Sequence, residues 1–280
     1  MKNFKLCAFA DEAGDSLNEQ IKAMKDNGIE FLEIRNVDGV NVSDLTQTQA
    51  ENIKKELEKN ELSVFSIGSP IGKIGIKDDF APHLEKFKHT LEIAKILGAK
   101  AIRLFSFYIP KDENPLEFSD EVLLRLREFV AAAKDYDIIL CHENEKGIFG
   151  DTAERCEIIH KEIPEIKAVF DPANFVQCGV QTLSAQTKLS PYIHYMHIKD
   201  ALGDGTVVES GKGIGNIAKL LENYQGEILT LEPHLYEFSG LKALEQEGET
   251  SGIIKTYKNN REAFDAGVNA LKALLQEEKK

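Results

Sequence analysis

What this sequence has little of narrows its class before any motif is considered. Cysteine is sparse and scattered: Cys7, Cys141, Cys156 and Cys178 form no C-x-x-C pair, which argues against a disulfide framework and fits reduced thiols. No apolar run approaches the ~20 residues of a spanning helix, so no membrane association is expected. The stretch "MKNFKLCAFADEAGD" reaches acidic residues too soon for a secretory signal, and a cytoplasmic location is the expectation. Positive charge is in short supply, with 34 basic against 47 acidic side chains and a formal charge of −13. Such a field repels phosphate backbones and anionic headgroups, so neither nucleic acid nor a membrane surface is an expected partner. The glycine-rich dinucleotide fingerprint is also missing: the first strand runs into "FADEAGDS", with one glycine, which argues against a Rossmann fold. Low-complexity linkers and composition breaks are absent as well. The 280 residues therefore read as one domain over 1–280, close to the roughly 250 residues common for an α/β barrel.

What is present is a regular alternation. Eight short apolar runs, "KLCAFADE", "IEFLEIRNV", "LSVFSIGSP", "AKAIRLFSFY", "DIILCHENE", "IKAVFDPANF", "IHYMHIKDA" and "GEILTLEPHL", read as strands. Segments of helical periodicity separate them, several opening on Ser, Asp, Thr or Asn at a candidate N-cap, with Gly28 and Gly98 at candidate C-caps. Alternation of this kind predicts a parallel sheet with helical crossovers, and eight units predict closure into a single (β/α)8 barrel of the α/β class. An open doubly wound sheet is the alternative. The stretch Gly240 to Asn260 reads as a long loop over the barrel mouth.

In a parallel barrel, side chains at the carboxyl ends of the strands converge on one mouth. Four of those ends carry metal-type ligands: Glu143 in "LCHENE", Asp171 in "VFDPANF", His197 in "YMHIKD" and Glu232 in "LTLEPH", spaced by 28, 26 and 35 residues. Three carboxylates and an imidazole facing one another need a counter-charge, and a divalent cation supplies it. Three oxygen donors and one nitrogen suit Mn2+, Co2+ or Mg2+, with Zn2+ admissible. A single strand-end acid is more often a helix cap or a loop charge, and Asp151 and Asp11 are read as these. Strand alternation turns His142 away from the mouth and Glu145 towards it. Arg35 and Arg103 are expected to fix barrel carboxylates, and Phe105, Phe107, Tyr108 and Phe149 to pack the core or wall the pocket. "GKGIGNI" superficially resembles a phosphate-cradling loop but lacks the Walker spacing, so anion binding there is not the favoured reading.

These residues, with the anchors "ENEKGIFGD", "FDPANFVQCG", "HIKD", "GKGIGNI" and "LEPH", resemble the xylose isomerase-like sugar phosphate isomerase/epimerase superfamily, which also holds ketose 3-epimerases, inosose dehydratases and endonuclease IV. The resemblance implies one divalent metal on Glu143, Asp171, His197 and Glu232. Glu143 and Glu232 would exchange a proton next to a carbonyl through a metal-stabilised enediolate, and Asn174 would contact substrate. Strand alternation separately puts Lys199 on the face of His197, to reach a substrate oxygen or phosphate or else to pair with Asp171 or Glu232, and leaves Glu145 to hold Lys146 or substrate. Where the epimerases carry a histidine three residues after the Asp, this chain has Asn174, which donates hydrogen bonds but moves no proton. The expected function is thus a metal-dependent isomerase or epimerase of a small sugar, sugar phosphate or polyol. An inosose dehydratase-type lyase is the alternative, and an endonuclease IV-like phosphodiesterase a weaker one, because its extra histidines are missing. A homo-oligomer is compatible with this reading.

Overall fold

A computed structural model describes residues 3–238 and 256–277. The expected barrel is there. Strands β1 (Lys5–Ala8), β2 (Phe31–Ile34), β3 (Ser63–Gly68), β4 (Ala101–Leu104), β5 (Ile139–Glu143), β6 (Lys167–Phe170), β7 (Ile193–Ile198) and β8 (Ile228–Leu231) pair in sequence order. All pairs are parallel, and β8 returns to β1 to close the sheet. Each strand matches one of the eight apolar runs. The register shifts at Leu32/Glu33 and at Ala168/Val169, two irregularities in otherwise even pairing.

Helices follow the strands, and local chemistry sets their ends. Ser16 and Glu19 form a capping box on α1 (Leu17–Asp26), as do Thr46 and Gln49 on α2 (Gln47–Lys59). Gly98 ends α3 (Ala81–Leu97) at φ 75°, a left-handed value that costs glycine little. Further along lie α4 (Ser119–Ala133), α5 (Ala153–Glu162), α6 (Pro172–Gln177), α7 (Thr182–Leu189), α8 (Ile217–Asn223) and α9 (Asn260–Glu277). The cap of α5 is Thr152 and not Asp151, which pairs with Arg155 one helical turn on. The segment read as a loop over the mouth, Gly240 to Asn260, lies largely outside the described residues.

Two cores result. The larger fills the space between barrel and helices. The smaller lies inside the barrel, and every strand gives it one residue: Cys7, Phe65, Ala101, Cys141, Val169 and Tyr195, with Phe31 and Ile228 packed against them. Strand alternation links this apolar ring to the mouth. On β5, Cys141 points into the ring and Glu143, two residues on, points into the space above it, while His142 faces outward to Ser106 Oγ at 2.9 Å. No helix among the described residues is long and apolar enough to cross a membrane.

Candidate metal centre

Glu143, Asp171, His197 and Glu232 come from four consecutive strand ends, and each offers one ligand atom within 4.8 Å of the other three. All four are buried. Their inward atoms gather around His197 Nδ1: Glu143 Oε1 at 3.1 Å, Glu232 Oε2 at 3.4 Å and Asp171 Oδ2 at 3.9 Å.

Local structure aims each group. The side-chain amide of Asn144 pairs with the backbone of Asp171 in both directions, accepting from its N–H and donating to its C=O at 2.9 Å each, so the ends of β5 and β6 are locked together. Asp171 also caps α6, its Oδ1 accepting from the Asn174 N–H at 2.9 Å. It is therefore both a helix cap and a member of the cluster. One oxygen serves each role, and Oδ2 is left buried without a hydrogen bond. Asn174 donates to Glu143 Oε1 at 3.1 Å and to the Asn144 carbonyl at 2.9 Å, so its amide is spent on holding Glu143.

Three buried cations stand beside the acids. Arg103 Nη1 donates to Glu143 Oε2 at 3.1 Å, and Arg35 Nη1 donates to Glu232 Oε1 at 3.0 Å. Both guanidiniums lie against the ring of Phe9, 5.3 and 4.4 Å from its centroid. Lys199 Nζ sits 2.9 Å from both Asp171 Oδ2 and Glu232 Oε2, the contact to Asp171 lacking hydrogen-bond geometry. Burial alone raises a carboxyl pKa, but at Glu143 the charges of His197 and Arg103 outweigh it and bring the value down to about 2. Glu232 likewise stays well below the carboxylate range, burial being overcome by Lys199, His234 and His197. For Asp171 burial wins over Lys199 and the value rises to about 6.

Sequence reasoning missed several residues here. Glu33, fully buried on β2, accepts from Tyr195 Oη at 2.7 Å and lies 3.1 Å from His197 Nε2. The signal was in "EFLEIRN", where alternation puts Glu33 and Arg35 on one strand face. Asp11, read as a loop charge, is buried and receives Arg35 Nε and Nη2 at 2.9 and 3.0 Å. Glu12 accepts the His234 N–H at 2.7 Å, and His234 Nε2 is 3.4 Å from Glu12 Oε1 and from Glu232 Oε1. Glu145, half-buried, pairs with Lys73 at 3.1 Å and accepts from the Lys146 N–H. Phe105 lies under Lys73 and Arg103, while Phe107 and Phe149 are fully buried core residues.

The glycine loop is not an open anion cradle. Gly211 and Gly213 N–H donate to Asp200 Oδ2 at 2.9 and 3.0 Å, and Gly215 and Ala201 N–H donate to Oδ1 at 2.9 Å. A Cβ at Gly213 or Gly215 would overlap that carboxylate. The Asp of "HIKD" thus fills the nest its own loop makes.

The donor set fits a divalent cation. Three carboxylates converge with one imidazole, Asp171 Oδ2 has no hydrogen bond, and His197 shows each ring nitrogen to a carboxylate at 3.1 Å. With Glu33 accepting from Nε2–H, Nδ1 would be the atom His197 offers to an ion.

Residues 21–273 match the family described as xylose isomerase-like TIM barrel. No curated protein matches the sequence. Among solved structures, the fold is shared with a D-tagatose 3-epimerase-like protein at 20% identity, covering 100% of this chain and 99% of that one, TM-score 0.73. It is shared too with an IOLI protein carrying a bound zinc atom, at 16% identity over 99% of each chain, TM-score 0.75. A third is AsbF of Bacillus anthracis, a probable 3-DHS dehydratase of petrobactin synthesis, at 18% identity over 97% of this chain and 99% of that one, TM-score 0.72.

Proposed function

The chain belongs to the xylose isomerase-like TIM barrel family, and from that premise we propose that it is a divalent-metal-dependent sugar isomerase or epimerase. The observation that carries the reading is the buried set of Glu143, Asp171, His197 and Glu232, drawn from four successive strand ends to within 4.8 Å. These four would hold the ion. Mn2+, Co2+ and Mg2+ suit a donor set of three oxygens and one nitrogen, and the zinc of the IOLI protein keeps Zn2+ in the set. When bound, such an ion supplies Lewis acidity that weakens a C–H next to a carbonyl.

The rest of the work falls to side chains. Glu143 and Glu232 take and return the proton. Arg103 on Glu143 Oε2 and Arg35 on Glu232 Oε1 orient the two carboxylates and keep them ionised, each using one lone pair and leaving others. Asn174 steers Glu143, Glu33 steers His197, and Lys199 offsets the charge of Asp171 and Glu232. Return of the proton to the same carbon from the opposite side gives an epimer, and return to the neighbouring carbon gives an isomer. A lyase is the second reading, favoured by the likeness to the probable 3-DHS dehydratase and by His234, a buried imidazole whose Nε2 lies 3.4 Å from Glu232 Oε1 and makes no hydrogen bond.

The test is proton exchange in heavy water, with metal-stripped and Mn2+-loaded protein and a panel of ketoses and keto-inositols followed by NMR. Metal-dependent deuterium uptake beside the carbonyl is expected, and loss of water from the product would select the lyase. A Glu232→Gln protein that keeps both metal binding and turnover would sink the assignment.

A further inference from the structure

One residue at the mouth is held in a conformation that its side chain disfavours. His234, two residues past Glu232, has φ 47°, the left-handed region where a Cβ crowds the following carbonyl and glycine has no such contact. Its neighbours impose this. Before it, Pro233 lies against α9 at Gly267, where an added Cβ would come within 2.7 Å of Pro233 Cβ. After it, Leu235 is buried with Val207 and Ala263. Between these anchors the His234 N–H donates to Glu12 Oε2 at 2.7 Å. Backbone strained in this way persists only where its surroundings over-determine it, and such residues gather at functional sites.

The strained turn delivers an imidazole to one place. Nε2 is buried, lies 3.4 Å from both Glu12 Oε1 and Glu232 Oε1, and makes a full hydrogen bond to neither. At equal distance from two acceptors, an N–H is shared between them, each half of the contact longer than a single hydrogen bond. Arg35 reaches the same two oxygens, Nη2 at 3.3 Å from Glu12 Oε1 and Nη1 at 3.0 Å from Glu232 Oε1. Phe238 backs both groups, its ring 5.3 Å from that of His234 and its centroid 4.6 Å from the guanidinium. Glu12, Glu232 and His234 also bring ligand atoms within 4.8 Å of one another, but the cation of that set is Arg35, so a second metal ion is not the reading. Glu232 is left with Oε1 beside Arg35 and His234, and Oε2 beside Lys199 and His197 Nδ1. With Oε2 committed to the cluster, the orientation of the carboxylate depends on what grips Oε1.

We infer that His234 is a positioning residue: its Nε2–H secures Glu232 Oε1 alongside Arg35 and so keeps Oε2 turned to Glu143, Asp171 and His197. This deepens the proposed function and rests on Glu232 being both ligand and proton carrier. The test is His234→Gly in the full chain. Glycine accepts the left-handed backbone and keeps the N–H that Glu12 takes, so the urea midpoint is expected to stay level or rise. Mn2+ affinity by equilibrium dialysis is expected to fall by ~10–100-fold. Added imidazole, which fits the space the ring leaves, is expected to restore part of it and to leave the parent unchanged. On a ketose that the parent turns over, kcat is expected to fall by about 10–100-fold with KM little changed. If the glycine variant does not fold, His234→Asn takes its place with the same expected losses, because asparagine also tolerates this backbone. A stable variant that matches the parent in both Mn2+ affinity and kcat overturns the inference, since the strain then serves the turn alone. A loss that imidazole does not restore, together with a lower urea midpoint, overturns it too, because the ring then acts by packing. A parent that exchanges no C–H proton overturns the isomerase reading, while Mn2+ affinity lost in the variant and restored by imidazole would still uphold the role of His234.

Discussion

The two ends of the barrel interior are built by the same eight strands and have opposite chemistry. At the lower end, Cys7, Phe31, Phe65, Ala101, Cys141, Val169, Tyr195 and Ile228 form an apolar ring. Two residues further along the same strands, Glu33, Arg103, Glu143 and His197 form a charged one. Cys141 and Glu143 are separated by one residue that faces the other way. The lower ring is stabilised by burial, which needs no particular partner. The upper ring persists only because each charge meets an opposite one, so its stability depends on every member. This asymmetry suits a site: the apolar floor is rigid, and the charged layer above it is compensated but short of positive charge.

The sharpest way to break the comparison is at Glu232. Glu232→Gln is expected to lower kcat/KM by about 10²–10⁴-fold and to weaken metal binding, read by equilibrium dialysis, while the lower ring keeps the barrel folded by far-UV circular dichroism. Next comes Arg103→Met, which leaves Glu143 Oε2 buried without its cation and is expected to cost about 3–5 kcal/mol of stability. Phe65→Ala in the lower ring should cost a similar ~3–5 kcal/mol. Urea unfolding cannot tell these two apart, but metal affinity can: it changes for Arg103→Met and stays level for Phe65→Ala. A shift of metal affinity in Phe65→Ala would show that the two layers are coupled.

A smaller effect is expected at Glu33. Glu33→Gln keeps a hydrogen-bond acceptor near His197 but loses the charge, and metal affinity should fall about 10–100-fold with little change in fold. A pH-dependent effect lies outside the barrel interior, where His142 on the outward face of β5 packs against His160 of α5. Burial lowers the His142 pKa to about 3 and that of His160 to about 4, so both are neutral in the folded state. Unfolded histidine takes a proton near pH 6.5, so the unfolded state binds more protons below that value and stability falls with pH between about 6.5 and 4. Each contributes a slope of up to about 1.4 kcal/mol per pH unit in that window. His142→Gln should flatten the profile; an unchanged slope would mean that carboxylates alone set it.

The barrel was legible in the sequence because its signal is repeated eight times, and a misplaced boundary in one strand does not alter the count. The clustering of Glu143, Asp171, His197 and Glu232 was legible for a related reason: they close apolar runs, where a charged residue is conspicuous. Glu33, Asp11 and Glu12 were not. Glu33 sits mid-strand, where its partners Tyr195 and His197 lie far along the chain, and no local pattern reports a contact across the barrel. Asp171 holds two roles, cap of α6 and member of the cluster, because a carboxylate has two oxygens and a cap uses one. The glycine loop misled by composition: glycines spaced to approach an anion were seen, but the anion belongs to the same chain.

That last feature ties the glycine loop to the strand that carries His197. Asp200 stands three residues after His197 and takes four backbone N–H groups, those of Ala201, Gly211, Gly213 and Gly215. In hydrogen-exchange terms these amides share one protector, so they are expected to be released together when that carboxylate lets go and not one by one. Loop and β7 then form one cooperative unit, and release of the loop is felt three residues away at His197.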